Sequence, residues 1–131
     1  MLKMIIASGP VIVEDNKVLV NKDKKDEFWK FCGGRINDED TKLLESAKRK
    51  VKEEMGLDIE VLCSEPFFFY TEKEIDGVKT SVVLVHFLAK RIGEIVPGED
   101  TTDWRYIDIG DLDKENLAPN IIPTLKHFKF L

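Results

Sequence analysis

Two adjacent carboxylates are the residues of this sequence most suited to chemistry. Glu53 and Glu54 lie in RKVKEEMGL (49–57), directly after Arg49 and Lys50. Carboxylate oxygens are ligands of hard cations such as Mg²⁺, which they share with the phosphates of a substrate. The same residues can form a solvated charged face, in which each pair of opposite charges contributes about 0.2–0.5 kcal/mol. The local sequence leaves both interpretations open.

A helix from about residue 41 to residue 55 must position these glutamates. Apolar residues recur there at spacings of three and four, which is typical of a helix with one buried face: Leu44, Ala47, Val51 and Met55. Asp40 or Thr41 is expected to be the N-cap of this helix, and Gly56 its C-cap.

The helical wheel separates the two glutamates. Glu54 borders the buried face, Glu53 lies about 100° from Glu54 and further from that face, and Lys50 projects between the two glutamates. Both carboxylates lie at the C-terminal end of the helix, where the macrodipole is negative. A compensating positive charge is therefore expected, either a bound cation or a basic side chain.

The rest of the chain is dominated by β patterns. Two strands, MIIASGPVIV and KVLV, are predicted to form a hairpin at Asp15 and Asn16, and IDGV (75–78) is predicted to be a second turn. Further strands are predicted at DIEVLC, PFFFYTEKE, SVVLVHFLAKR and WRYIDI, and a terminal helix at NIIPTLKHFKFL. Because SVVLVHFLAKR is apolar throughout, we expect it in the centre of a sheet covered on both faces. The pattern predicts a mixed sheet with helices packed on it.

Composition limits the classes of function. The 131 residues have the size of one domain (1–131), and a net charge of −5 gives no support for broad binding to nucleic acid or anionic membranes. The longest apolar stretch, VVLVHFLA, is too short to cross a membrane. Two cysteines without a CxxC motif, Cys32 and Cys63, predict a reducing cytoplasmic location.

The segment WKFCGGRI, followed after a gap by RKVKEEMGL, resembles the Nudix box of the Nudix hydrolases. The residues that match the box are Gly34, Arg49, Val51, Glu53, Glu54, Gly56 and Leu57. The lead-in matches through Trp29, Phe31 and Gly33, with Cys32 where proline is usual. The stretches 86–112 and 117–128 are similar to later parts of the MutT-like branch. This resemblance implies an α/β fold, with an α/β/α sandwich around a mixed β-sheet.

The resemblance also implies a reaction and a cofactor. Nudix hydrolases cleave a nucleoside diphosphate that is linked to another moiety, such as a nucleoside triphosphate. Mg²⁺ or Mn²⁺ neutralises the phosphates and activates the attacking water. The implied partner is a small nucleotide substrate, and the implied state is a monomer or homodimer with no membrane or nucleic-acid partner.

Functional residues carry over by position. The implied metal ligands are Gly34, Glu53, Glu54 and Glu99. Arg49 is expected to orient a glutamate through an ion pair, and Asp100 can substitute for Glu99. The implied catalytic residues are Glu53, Glu54, Arg49 and Glu99.

Four residues are expected to bind the substrate. Asn120 either reads the edge of a purine, since an amide both donates and accepts, or caps the terminal helix. Phe28 or Trp29 is expected to stack on a base, and Lys50 and Arg35 are expected to contact the substrate. The lysines at 22, 24 and 25 belong to a solvated loop or steer an anionic ligand.

Several other residues are expected to be structural. Cys32 is expected to be a small packing residue, and His86 a core histidine with its hydrogen bonds satisfied. His127 is expected to be exposed, and residues 67–70 (FFFY) to belong mostly to the core of the sheet.

Two departures from the family pattern affect the predicted activity. Lys50 stands where the motif has a glutamate, and the earlier glutamate of the motif corresponds to Asp40 or to Thr41, depending on the direction of counting. The ammonium of Lys50 could neutralise the paired glutamates in place of a metal ion, or contact a phosphate. Two functions therefore remain: an Mg²⁺-dependent hydrolase, or a Nudix-fold module that binds a nucleotide or protein and hydrolyses weakly.

Overall fold

The computed structural model describes residues 3–37, 40 and 42–131. Within these residues, seven strands, two α-helices and one 3₁₀ helix follow each other: β1 (Lys3–Glu14), β2 (Lys17–Asp23), β3 (Gly34–Arg35), α1 (Leu43–Met55), β4 (Asp58–Val61), β5 (Phe67–Ile75), β6 (Val78–Ile92), β7 (Thr101–Asp108), the 3₁₀ helix (Ile109–Lys114) and α2 (Ile121–His127).

The sheet is mixed, as predicted. Its main path runs β4-β6-β1-β2-β7, with β3 paired to β1 and β5 paired to β6. β1 and β6 are parallel over ten residue pairs, from Lys3–Thr80 to Ile12–Ala89, whereas the other pairings are antiparallel. The predicted central strand is confirmed, because β6 pairs with β1 on one edge and with β4 and β5 on the other. Both predicted turns are also confirmed, since Asp15, Asn16, Asp76 and Gly77 have positive φ.

Alternation along the strands builds a core on each face of the sheet. Ile12 and Leu19 pack with Val51 and Met55 of α1 on one face. The neighbouring strand residues Val11, Val18, Val20 and Ile107 face the other way. They pack with Leu112 of the 3₁₀ helix and with Ile121 and Leu125 of α2. The helices therefore cover opposite faces, which confirms the α/β/α sandwich.

The start of α1 differs from the prediction. The helix begins at Leu43, and Lys42 occupies the N-cap position without a capping hydrogen bond from its side chain. Asp40 is not the cap, because its carboxylate accepts the N–H of Asn37 and binds an arginine described below. Thr41 lies outside the described residues. The C-cap is confirmed, since Gly56 has φ +68° and donates to the carbonyl of Lys52.

The prediction that FFFY belongs to the sheet core is wrong for half of the segment. Phe68 and Tyr70 are exposed, whereas Phe67 and Phe69 are half-buried. β5 is an edge strand whose described pairing is with β6, so one of its faces meets solvent. In the described part of the chain, no helix is long and apolar enough to cross a membrane.

Candidate functional site: two clefts beside the paired glutamates

A contact between two backbones positions the glycine turn before β3. Gly33 has φ +139°, and a Cβ on it would lie 2.4 Å from the carbonyl oxygen of Ser8. A Cβ on Gly9 would lie 1.9 Å from the carbonyl oxygen of Cys32. Only glycine permits this approach at both positions. As a result, the N–H of Gly33 donates to Oε1 of Glu54 at 2.9 Å and joins the turn to α1.

Glu54 is a half-buried carboxylate with an uneven environment. Its Oε1 accepts two hydrogen bonds, from the N–H of Gly33 and from Nδ2 of Asn21 at 3.2 Å. No hydrogen bond to its Oε2 occurs among residues 3–37, 40 and 42–131. Burial raises the pKa of Glu54, and the two hydrogen bonds together with the charges of Lys30 and Lys50 only partly oppose that effect. Additional positive charge beside Glu54 would therefore be favourable.

Glu53 points away from Glu54, as the helical wheel predicts. Its side chain is 56% exposed and lies 3.6 Å from Nε of Arg49 and 3.8 Å from Nζ of Lys50. The two neighbouring carboxylates therefore have separate surroundings, one half-buried and one solvated.

Lys50 lies over Gly34. A Cβ on Gly34 would meet Cδ, Cε and Nζ of Lys50 at 3.2, 3.4 and 3.7 Å. The Lys50 side chain is only 23% exposed, so its stem is packed against the turn. Its ammonium consequently lies between Gly34 and Glu53, two of the residues implied as metal ligands.

Arg49 joins α1 to the segment that precedes it. Its guanidinium binds both carboxylate oxygens of Asp40 through two N–H groups, and one of these contacts, Nη2 to Oδ2, measures 3.0 Å. This hydrogen bonding holds the pKa of the Asp40 carboxyl well below its usual range. Arg49 thus forms its closer ion pair with Asp40 and a longer one with Glu53.

The loop before β7 docks on the C-terminal end of α1. The N–H groups of Val96 and Gly98 donate to the carbonyls of Met55 and Glu54, both at 2.8 Å. Oγ1 of Thr101 donates to the same Glu54 carbonyl at 2.9 Å. These bonds satisfy carbonyls that a helix end leaves without partners. They also hold the acidic end of the loop beside Glu54.

An apolar cleft of about 250 Å³ lies on the face of the sheet that α2 covers. We call it the sheet cleft. Its floor and walls are formed by residues of β1, β6, the glycine turn and the start of α2: Ile5, Ala7, Phe28, Phe31, Gly33, Gly34, Arg35, Val82, Leu84, His86, Pro119 and Asn120, with Asp26, Lys30 and Lys73 among the charged residues.

A second cleft, of about 300 Å³, includes Glu54, which accepts the N–H of Gly33 from the glycine turn. We call it the lysine cleft. It is lined by Asn21, Lys22, Asp23, Lys24, Lys25, Lys30, Glu54, Asp100 and Thr101.

Lys30 lines both clefts and marks where they meet. Its ammonium lies 2.9 Å from Asp26 and 3.2 Å from Asp23. Burial lowers the pKa of Lys30, but the hydrogen bonds and charges of these aspartates outweigh burial and raise it overall. Lys30 is therefore a fixed positive charge between the clefts.

The structure distributes the expected site residues between these features. Gly34, Phe28, Arg35 and Asn120 line the sheet cleft, and Glu54 lines the lysine cleft. Glu53, Arg49 and Lys50 lie along α1 beside the turn. Glu99 is exposed in the docked loop, and its neighbour Asp100 lines the lysine cleft.

Asn120 occupies the N-cap position of α2, but its side chain makes no capping hydrogen bond. Its Nδ2 instead lies 2.8 Å from Nε2 of His86, which is buried as expected. Cys32 is buried in the core on the α1 side, and His127 is exposed, as predicted.

Sequence reasoning missed Asn21 and Lys30 as parts of the site. One signal was available for Asn21, which is a polar residue directly after the apolar run VLV. The contact of Asn21 with Glu54 joins residues 33 positions apart and has no local signature.

The donors beside Glu54 fit a hard cation that arrives with phosphate ligands. Among the described residues, no three His, Cys, Asp or Glu side chains converge well enough to hold a metal ion. Two oxygens are nevertheless available: Oε2 of Glu54, and Oδ1 of Asn21, which is buried without a hydrogen-bond partner. Mg²⁺ is commonly bound by one or two protein oxygens together with substrate phosphates and water.

Comparisons with known proteins agree with this architecture. The family model of the NUDIX domain matches residues 4–128. The fold is similar to a MutT NUDIX hydrolase from Burkholderia pseudomallei, with a TM-score of 0.75 and 20% identity over 95% of this chain and 97% of that chain.

Two further structures show the same fold. The ORF135 protein of E. coli has a TM-score of 0.71 and 21% identity, over 97% of this chain and 89% of that chain. An ADP-ribose pyrophosphatase from Streptococcus suis has a TM-score of 0.66 and 20% identity, over 93% and 87%. The comparison with curated proteins finds no match.

Proposed function

The chain belongs to the NUDIX family, and on this premise we propose that it hydrolyses the pyrophosphate of a nucleoside diphosphate derivative, such as a nucleoside triphosphate. The observation that carries the proposal is the junction of the two clefts. Lys30 and the hydrogen bond from Gly33 to Glu54 separate an apolar cleft from a lysine-lined one. A molecule with an apolar base at one end and several phosphates at the other matches this division.

The base is proposed to occupy the sheet cleft. Its floor of aliphatic side chains offers an apolar surface, and Phe28 offers an aromatic ring for stacking. Asn120 supplies a polar group to the same cleft. A few polar groups in an apolar pocket are what orients a small ligand.

The phosphates are proposed to cross the glycine turn toward Glu54. Lys30 is fixed where the two clefts meet. The lysine cleft carries three further ammonium groups, from Lys22, Lys24 and Lys25. These charges attract an anionic substrate and balance its phosphates. Arg35 and Lys50 add positive charge on the Gly34 side of the turn.

Glu54 and Asn21 are the residues proposed to hold a divalent cation, Mg²⁺ or Mn²⁺. When bound, that cation supplies a water of lowered pKa and neutralises phosphate charge. The Gly33 N–H and the Asn21 amide fix the Glu54 carboxylate, so its free oxygen is held in position before substrate binds. Arg49 binds Asp40 and lies beside the solvated Glu53, which it orients. Asp100 lines the lysine cleft together with Glu54.

The test is a direct assay for release of a nucleoside monophosphate. Purified protein is incubated with Mg²⁺ or Mn²⁺ and with nucleoside triphosphates, ADP-ribose or UDP-linked compounds, because similar folds include an ADP-ribose pyrophosphatase and a UDP-X diphosphatase. We expect turnover of at least one substrate, reduced about 100-fold or more in Glu54→Gln. Glu60→Gln, at an exposed position of β4, is the matched control. Absence of turnover with every substrate and both metals would contradict the proposal.

One observation favours a second function, nucleotide binding with weak hydrolysis. The Lys50 ammonium already lies between Gly34 and Glu53 and supplies positive charge there without a metal. Calorimetry with a nonhydrolysable nucleotide and a chelator distinguishes the two. Metal-independent binding by a protein without turnover favours the binding module.

We also propose a cytoplasmic monomer or homodimer that acts on a small molecule and not on nucleic acid or membranes. Free Cys32 and Cys63 support a reducing compartment, and the net charge of −5 disfavours polyanions. Light scattering of the purified protein measures the oligomeric state.

A further inference from the structure

A chain of hydrogen bonds fixes the protonation of His86. Its Nδ1 lies 3.2 Å from the carbonyl oxygen of Gly9, which can only accept a hydrogen bond. Nδ1 must therefore carry the proton, and a neutral imidazole then presents a lone pair at Nε2. Rotation of the His86 ring is hindered, because the residue is 6% exposed and its ring packs edge-on against Phe31 with centroids 4.8 Å apart.

This lone pair fixes the orientation of the Asn120 amide. Nε2 of His86 lies 2.8 Å from Nδ2 of Asn120, and only the NH₂ group of the amide can donate to it. The backbone of Asn120 is also held, since its carbonyl accepts hydrogen bonds from Oγ1 and N–H of Thr124 at 2.6 and 3.1 Å. The amide oxygen of Asn120 is therefore turned away from His86, and its orientation is fixed.

The Asn120 oxygen is an available acceptor in the sheet cleft. Asn120 and His86 both line that cleft, and Asn120 is 3% exposed. In the part of the chain that the structure describes, no group donates to Oδ1 of Asn120. Around it the floor is aliphatic, with Val82 and Leu84 on the strand that carries His86. A ligand group that cannot donate to this oxygen leaves a buried acceptor without its hydrogen bond, which weakens binding.

We propose that His86 is a specificity-determining positioning residue, which acts through Asn120 so that the cleft selects a base with an N–H donor at that point. The proposal rests on the function proposed above and adds a rule for the base. A base that presents a lone pair to the Asn120 oxygen is rejected. Without an acceptor at position 86, the amide is free to rotate by 180° and to offer either of its ends.

Burial keeps the His86 imidazole in its neutral form, for which the contact with Gly9 then selects the tautomer. It lowers the pKa of His86 to about 4, and the hydrogen bond to Gly9 opposes burial only in part. The imidazole is therefore neutral near pH 7, where its Nε2 accepts the Asn120 N–H.

The first test is nuclear magnetic resonance of protein labelled with ¹⁵N in its histidines. We expect His86 near pH 7 to carry its proton on Nδ1, with Nε2 unprotonated. The chain has two histidines, so His127→Leu identifies the His86 signals. A proton on Nε2 of His86 would overturn the proposal, whatever ligand the protein binds.

The second test measures base discrimination by calorimetry. The probes are nonhydrolysable triphosphates in two pairs that differ by one amino group: adenosine against purine riboside, and guanosine against inosine. We expect the wild type to prefer the amino-bearing member of at least one pair by about tenfold, the effect of one hydrogen bond in a buried site. In His86→Leu the ratio should fall toward one.

Two variants keep this test interpretable. His127→Leu removes an exposed imidazole by the same substitution and should keep the wild-type ratio. His86→Gln retains a donor for Gly9 and an acceptor for Asn120, so it should restore most of the ratio and serves if His86→Leu does not fold. If His86 had only a structural role, both variants would change the stability of the protein, and His86→Gln would not restore the preference for the amino-bearing base.

The failures are distinguishable. If nucleotides bind and His86→Leu keeps the wild-type ratio, the role of His86 is overturned while the proposed function stands. If no nucleotide binds the wild type, the proposed function fails and the specificity rule fails with it.

Discussion

The side chain of Lys50 packs on Gly34. Its ammonium therefore brings a positive charge to a position at which the Nudix motif has a glutamate. Its stem would touch a Cβ on Gly34 at 3.2 Å, and its ammonium lies 3.8 Å from the Glu53 carboxylate. Because the stem is packed, the ammonium is held near the turn. Glu54, one residue further along, remains free of an ion pair within 4 Å in the described part of the chain.

Lys50→Glu should therefore increase both cation affinity and turnover. The change removes a positive charge beside Glu53 and adds an oxygen donor, which favours a hard cation. We expect Mn²⁺ to bind about tenfold tighter in the presence of a nonhydrolysable nucleotide, as measured by calorimetry. Lys48→Glu is the matched control, since Lys48 makes the same charge change at an exposed position of α1. Equal effects of the two variants would show that only net charge matters.

Gly33→Ala should destabilise the protein and separate the turn from Glu54. The residue has φ +139° and would place its Cβ 2.4 Å from the Ser8 carbonyl oxygen, so the backbones must move apart. We expect a loss of about 3 kcal/mol in the free energy of unfolding, measured in urea. Gly77→Ala has the strain of a positive φ but open space around it, and should lose about 1 kcal/mol. Similar losses in both variants would contradict the close contact.

His86 should make stability depend on pH. Burial lowers its pKa from 6.5 to about 4, so between these values the unfolded chain binds a proton that the folded protein does not. The free energy of unfolding should therefore fall as the pH drops from about 6.5 toward 4, by about 3 kcal/mol in total. Denaturation in urea at several pH values measures this slope. His86→Gln should remove it and His127→Gln should retain it, whereas the same slope in both variants would contradict the assignment.

The ion pair of Asp40 with Arg49 should be lost only in acid. The arginine lowers the pKa of Asp40 below its ordinary value of 3.8, so the pair stabilises the folded state above that pH and ceases to do so as the carboxyl is protonated. Asp40→Asn should be less stable than the wild type by a constant amount from pH 7 to about pH 4, and the difference should shrink below it. Asp58→Asn, at an exposed aspartate, is the control. A difference that persists unchanged below pH 3 would rule out this role.

The parts of the site that depend on one local element could be predicted from the sequence. The wheel placed Glu54 at the border of the buried face and Glu53 in solvent, because helix geometry relates residues within two turns. Gly56 ended α1 as expected for the same local reason.

Parts that depend on strand neighbours could not be predicted. The hydrogen bond from Asn120 to His86 spans 34 positions and joins the N-cap position of α2 to β6. The one from His86 to Gly9 spans 77 positions and requires the parallel register of β1 and β6, in which these two residues are partners. Phe68 has the composition of a core residue but lies on an edge strand, and its exposure depends on what lies beside β5. Pairing between distant segments therefore determines which cleft each side chain lines.

We propose that Glu54, with the phosphates of a bound nucleotide, holds a divalent cation in the lysine cleft. Calorimetric titration of Mg²⁺ and Mn²⁺, with and without a nonhydrolysable nucleotide, measures this binding. We expect cation binding that requires the nucleotide, that Glu54→Gln abolishes, and that Glu60→Gln retains. Nucleotide binding without any cation uptake, or cation uptake unchanged in Glu54→Gln, would contradict it.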